Sequence, residues 1–171
     1  MNLIRPLHKL GYSRHQWESI LSVMKRPNGI ILFSGPTGCG KTTTLYSILN
    51  FLKSTDLKII SIEDPVEIRH PLIAQVQVNE KRNITFTDAI RAFLRQDPDV
   101  IFVGEIRDCE TAGEAIRASS TGRRIFSTIH TNDPVSAINR LKNLGVASSA
   151  IAETLVCVNS QRLVRVLCEE C

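Results

Sequence analysis

The stretch Gly35-Pro36-Thr37-Gly38-Cys39-Gly40-Lys41-Thr42 has the spacing of a phosphate-binding loop, G-x-x-x-x-G-K-[ST]. Each part of that spacing has a physical use. Glycines let the backbone wrap closely around a polyphosphate, because no Cβ blocks the approach and positive φ is open to them. Inward-facing amides and the start of a helix then offer donors and a partial positive charge of roughly half a unit. Lys41 is placed for the β- and γ-phosphates and Thr42 for a Mg²⁺ ion, with Thr43 counted among the binding residues. A plain glycine-rich turn is the alternative. Against it stand the apolar run Gly29 to Phe33 ahead of the loop and a helical stretch from Thr42 to about Lys53 behind it. The loop implies that a nucleoside triphosphate binds here.

Other polar groups suited to that chemistry also close apolar runs. Glu105 follows Val100-Ile101-Phe102-Val103-Gly104. An acid there can orient or deprotonate a water attacking the γ-phosphorus, or support Mg²⁺ through its hydration shell. Glu63 ends the run from Lys58 and can share that task. His130 follows Ile125 to Ile129 and can sense the γ-phosphate by donating a hydrogen bond. Plainer readings stand beside these: Glu105 as a strand-end charge paired with Arg107, Glu63 as a turn acid before Pro65, His130 as a structural histidine. Arg91, Arg95, Arg107, Arg123 and Arg124 are candidate phosphate contacts, with a surface charge the plainer reading of each.

The elements that must position these groups alternate along the chain. Strands are expected at Gly29–Phe33, Lys58–Ile62, Val100–Val103 and Ile125–Ile129, with Ala74–Val78 as a half-exposed strand. Helices are expected after the phosphate loop, from Thr87-Asp88 to near Asp97-Pro98, from Asp108 to about Ser120, and from Asp133-Pro134 to about Leu144. Ser148-Ser149 reads as the cap of a further helical stretch toward Val158. Apolar strands alternating with helices imply an α/β fold, a mostly parallel sheet covered on both faces. In such sheets ligands bind beyond the carboxyl ends of the strands, which is where Gly35, Glu63, Glu105 and His130 fall.

At 171 residues the chain is expected to form one domain. It is 43% hydrophobic and 22% charged, ordinary for a globular protein. Its net charge of +4 is dispersed, which argues against nucleic acid as a partner. No apolar run approaches the roughly 20 residues a membrane-spanning helix needs, and Met1 to Gly11 lacks a signal-peptide core, so cytoplasmic residence is expected. Five cysteines are too few and too irregular for a disulfide framework, and Cys39 inside the loop suits a reducing compartment. Cys109 and Cys157 read as small residues on or near helices.

Taken together, the motifs resemble the secretion ATPases that drive type II secretion and type IV pilus assembly. Gly35 to Tyr46 (GPTGCGKTTTLY) is similar to their Walker A segment, and Ser61 to Glu67 (SIEDPVE) to their Asp box. Leu94 to Asp108 (LRQDPDVIFVGEIRD) resembles their atypical Walker B, and Thr121 to Asp133 (TGRRIFSTIHTND) their His box. Gln161 to Arg165 (QRLVR) and Gln75 to Asn79 (QVQVN) also match, so the resemblance runs from about Leu10 to Cys171. It implies a RecA-like P-loop ATPase core binding ATP and Mg²⁺. By position it makes Glu105 the catalytic glutamate, Glu63 its Asp-box partner and His130 the His-box imidazole. It further implies a homo-hexamer, peripheral to the inner membrane and docked on a membrane platform.

The chain departs from the family pattern in places. The His box usually opens Thr-Gly-His, whereas Arg123 follows Thr121-Gly122; arginine cannot act as a neutral imidazole but can hold a phosphate or a carboxylate. Family members carry N-terminal regions that complete the site, and the expectation is a chain lacking them. Cys168-Glu169-Glu170-Cys171 resembles the first half of a four-cysteine zinc site, and two thiolates do not close such a site. The readings to be weighed are therefore a motor ATPase, a non-hydrolysing nucleotide-binding module, and a DNA-uptake or conjugation ATPase.

Overall fold

The apolar runs form the middle of one sheet. In a computed structural model, which describes residues 4–52 and 57–167, the strands are β1 (Gly29–Ser34), β2 (Ile59–Glu63), β3 (Ala74–Gln77), β4 (Val100–Val103), β5 (Arg124–Ile129) and β6 (Leu155–Ser160). Their order is β3-β2-β4-β5-β1-β6, and the pairings are parallel. Strands β1, β2, β4 and β5 are buried along their whole length. Two-sided burial is why they read as continuous apolar runs rather than as alternation. Edge strand β3 is partly exposed, as its mixed sequence predicts.

Side-chain alternation along each strand feeds a separate core on either face. Ile30, Leu32, Ile62, Val103 and Ile125 pack beneath α3 (Phe86–Leu94), α4 (Cys109–Ser120), α5 (Pro134–Asn143) and α6 (Ser148–Thr154). Ile31, Phe33, Phe102 and Phe126 pack beneath α2 (Lys41–Leu52) and α1 (Arg14–Met24). Helix α1 has no counterpart in the sequence expectations. Ser13 caps it through a capping box with Gln16, and Trp17, Ile20 and Val23 supply its apolar stripe. Asp108 and Asp133 cap α4 and α5 as the sequence suggests. Helix α3 starts earlier than Thr87-Asp88: Thr85 is its cap and accepts from the Asp88 amide.

One segment is corrected outright. The stretch expected to stay helical from Ser148 to Val158 is a seven-residue helix that ends at Thr154, followed by β6. Ser148 and Ser149 do not cap it; Ala147 stands at the N-cap with no side-chain bond. Residues 155–160 pair in parallel with β1, so tertiary pairing overrides the local helical pattern. Cys157 therefore lies on a strand. Among the described residues no helix is long and apolar enough to cross a membrane.

Candidate functional site

The loop between β1 and α2 is held open from behind. Gly35 has φ +144°, and a Cβ there would lie 2.5 Å from Cys39 Sγ and 2.7 Å from the Gln161 carbonyl oxygen. Glycine is thus required where the chain leaves β1. The Gln161 side chain donates to the Cys39 carbonyl at 2.8 Å, and its amide donates to the Ser34 carbonyl at 3.0 Å. The residue just after β6 therefore pins the phosphate loop on its rear side. Lys41 is only 8% exposed, and its Nζ donates to the carbonyls of Gly35 (2.8 Å) and Pro36 (3.0 Å).

In front of the loop is a cavity of about 480 Å³. Thr37, Gly38, Gly40, Lys41, Thr42 and Thr43 form its floor, Glu63 to Pro65 and Glu67 enter from the end of β2, Gly104, Glu105 and Arg107 follow β4, and Thr128 and His130 come from β5. Of the loop residues expected to bind, Gly35, Pro36 and Cys39 do not line it. Gly35 and Pro36 contribute the carbonyls that hold Lys41, and Cys39 is buried. The three carboxyl-end groups singled out in the sequence, Glu63, Glu105 and His130, all reach this cavity.

Glu105 and Glu63 sit in different surroundings. The Glu105 carboxylate accepts from Arg107 Nε at 2.7 Å on Oε2, and His130 Nε2 lies 3.2 Å from Oε1. Its side chain is 19% exposed and that of His130 is 47% exposed, so both stay accessible from the cavity. The pairing with Arg107 read as the plain alternative is real, but it is one half of a two-sided arrangement. Arg107 also reaches Asp64 Oδ2 at 3.3 Å and sits 5.9 Å over the Phe86 ring. The hydrogen bond to Glu105 pushes the guanidinium above its usual basicity.

Glu63, by contrast, is 3% exposed and accepts from three protein donors. It accepts from the Tyr46 hydroxyl, from Ser61 Oγ at 2.6 Å and from Gln75 Nε2 at 3.2 Å. Burial, and then the bond to Glu63, push the Tyr46 phenol well above its usual value, which keeps it a donor. Gln75 also donates to the Ile68 carbonyl at 2.9 Å and accepts from the His70 amide at 2.7 Å, tying the loop after β2 to the same network. Tyr46 and Gln75 fall inside segments that match the family, but the sequence assigns neither a role, because their partners lie on other elements.

The remaining arginine candidates lie elsewhere. Arg91 bonds Glu114 at 2.8 Å, and Arg124 donates to the Met24 carbonyl at 2.9 Å. Arg123 pairs with Asp97 at the amino end of β5, the opposite end of the sheet from the cavity. Neither these nor Arg95 line the cavity; Arg107 does. Among the described residues no group of His, Cys, Asp and Glu is arranged to hold a metal ion by itself. Cys168 and Cys171 fall outside the described residues.

A second cavity of about 530 Å³ flanks the loop and shares Gly40 and Thr43 with the first. Arg5, Lys9, Tyr12, Asn159, Gln161 and Arg162 contribute to its lining. Tyr12 donates to Gln161 Oε1 at 3.2 Å and accepts from Asn159 Nδ2 at 3.2 Å. Tyr12 and Asn159 come from opposite ends of the chain, so no local spacing could have pointed to this cavity.

The chain is similar to known proteins in sequence and in fold. Over 165 residues the chain is 49% identical to the type II secretion system ATPase E of Vibrio cholerae, covering 96% of the chain and 33% of that protein. It is 51% identical over 162 residues to the type IV pilus assembly ATPase PilB of Pseudomonas aeruginosa, covering 95% of the chain and 29% of the relative. The chain thus spans about a third of the length of these relatives. The pilus retraction motor PilT, solved with bound ADP, superposes with a TM-score of 0.86 at 37% identity, over 96% of this chain and 50% of that one. The parallel sheet and its helices are accordingly the RecA-like core of these proteins. Residues 2–171 match the family described as Type II/IV secretion system protein, and the chain belongs to that family.

Proposed function

We propose that this chain is the ATP-binding and ATP-hydrolysing domain of a motor that powers type II secretion or type IV pilus assembly. The observation that carries this is the convergence of the phosphate loop with Glu105 and His130 on one cavity. The names of the relatives support it: a secretion ATPase and a pilus assembly ATPase. The described residues act in it as a single P-loop domain.

The triphosphate lies along the loop, its phosphates on the amides from Gly38 to Thr43, and Lys41 exchanges the loop carbonyls for phosphate oxygens. Base and ribose occupy the second cavity, which adjoins the first at Gly40 and Thr43. The first cavity contains the carboxylates Glu63, Asp64, Glu67 and Glu105 against the cations Lys41 and Arg107. That balance suits a nucleotide arriving with Mg²⁺, which the Thr42 hydroxyl would help to hold. The ion supplies charge neutralisation. Glu105 accepts a proton from the attacking water as the water oxygen bonds the γ-phosphorus and the β–γ bridging bond breaks, releasing ADP and phosphate. His130 orients Glu105 through Nε2, 3.2 Å from Oε1. Glu63, buried and bonded to Tyr46, Ser61 and Gln75, holds the end of β2 in place and leaves the proton transfer to the more exposed Glu105.

In the whole motor the domain works within a homo-hexamer docked on an inner-membrane platform at its cytoplasmic face. Arg123, remote from the cavity, gives no support to a non-hydrolysing module. Calorimetric titration with ATP and Mg²⁺ tests the nucleotide site. Lys41→Ala is expected to weaken binding at least about tenfold, the effect of losing one charge-assisted contact. Unchanged affinity in that variant would overturn the assignment of the loop.

A further inference from the structure

Arg107 is held in a way that a structural arginine does not need. Its guanidinium bonds Glu105 at 2.7 Å and Asp64 at 3.3 Å, and it rests 5.9 Å over the face of Phe86. Its side chain is 51% exposed, so packing does not fix its conformation. Arg107, Asp64 and Phe86 all line a neighbouring cavity of about 420 Å³ as well as the first one. The side chain therefore forms a partition with open space on both sides. Apart from Lys41 it is the only lysine or arginine lining the first cavity among the described residues. Both of its partners are carboxylates, the groups a phosphate replaces best in a guanidinium fork.

From this we infer that Arg107 reads the terminal phosphate: the γ-phosphate of a bound triphosphate competes with Glu105 and Asp64 for the same guanidinium. The inference rests on the proposed ATP site and extends it. When Arg107 turns to the phosphate, Glu105 loses the cation on Oε2 and keeps His130 on Oε1, which frees one carboxylate oxygen to accept a proton. Recognition of the γ-phosphate and readiness of the proton acceptor then become one event. A diphosphate ends one phosphate short and leaves the Glu105–Arg107–Asp64 pairing intact. Arg107 is thus a specificity-determining residue for triphosphate over diphosphate. Lys41, which meets the β- as well as the γ-phosphate, cannot make this distinction alone.

The test is paired binding of ADP and a non-hydrolysable ATP analogue, each with Mg²⁺, to the whole chain and its variants. Arg107→Gln is expected to weaken the analogue about tenfold, as for loss of a charge-assisted hydrogen bond, while ADP stays within about twofold. Arg107→Lys, with the charge but no fork, is expected to fall between the two. Equal weakening of both nucleotides would mean that Arg107 only shapes the cavity wall, and no weakening of either would mean that it stays on its carboxylates. Both results overturn the inference while leaving the ATP site intact. If the unsubstituted chain bound neither nucleotide while unfolding cooperatively, the ATP site and this inference would both fall.

Discussion

At the level of single residues, two carboxylates that look alike in the sequence are separated by their donors. Glu105 meets one guanidinium and one imidazole at the cavity surface, whereas Glu63 is buried beneath Tyr46, Ser61 and Gln75. Removing a donor from a buried carboxylate leaves a charge without its full set of partners. Tyr46→Phe is therefore expected to destabilise the fold by about 1–3 kcal/mol in urea unfolding, and an unchanged midpoint would show that Glu63 does not depend on that hydroxyl. Both carboxylates were legible in the sequence because each follows an apolar strand, and residues at the carboxyl ends of parallel strands face the ligand crevice. The difference between them was not legible. It depends on Tyr46, 17 positions from Glu63, and on Gln75, 12 positions away, which the sheet and α2 bring together.

At the level of elements, the phosphate loop depends on close backbone contact between β1 and the residue that follows β6. Gly35→Ala would drive a Cβ into Cys39 Sγ and the Gln161 carbonyl at 2.5 and 2.7 Å. The variant is expected to lose at least about tenfold in nucleotide affinity, since displaced amides no longer meet the phosphates. Retained affinity would show that the loop tolerates the shift. Strand β6 itself was invisible in the sequence, where Ser148 to Val158 read as one helix. The open edge of β1 decides the matter, and a sequence pattern alone does not contain that edge. Caps, by contrast, were legible, because Asp108 and Asp133 act within their own helical turn. Asp133 also carries a pH dependence. Hydrogen bonds from the Ser136 hydroxyl and then the Ser136 amide hold its carboxyl below the usual 3.8. A depressed folded-state value means that its stabilisation is present above the unfolded value and is lost as pH falls through the folded one. Asp133→Asn keeps a capping side chain but does not titrate. The stability gap between the unsubstituted chain and this variant is expected to close as pH falls through the depressed folded-state value, and a gap independent of pH would contradict the assignment.

At the level of the whole molecule, the sheet gathers one working edge from strands distributed through the chain. The phosphate loop, Glu105 and His130 converge on one cavity there, and the second cavity opens beside it. The N-terminal segment reaches that second cavity through Arg5, Lys9 and Tyr12, so the lining of the two cavities is drawn from distant parts of the sequence. The negative lining predicts that ATP binding falls steeply when Mg²⁺ is chelated, read by the same titration; affinity indifferent to chelation would contradict the charge balance. The most direct test of the proposed ATPase is single-turnover phosphate release from ATP with Mg²⁺, with protein in excess. The unsubstituted chain is expected to release phosphate well above the Lys41→Ala variant. Glu105→Gln is expected to bind ATP within about tenfold of normal yet release none, because the acceptor for the water proton is gone. Phosphate release by Glu105→Gln at the unsubstituted rate would contradict the central assignment.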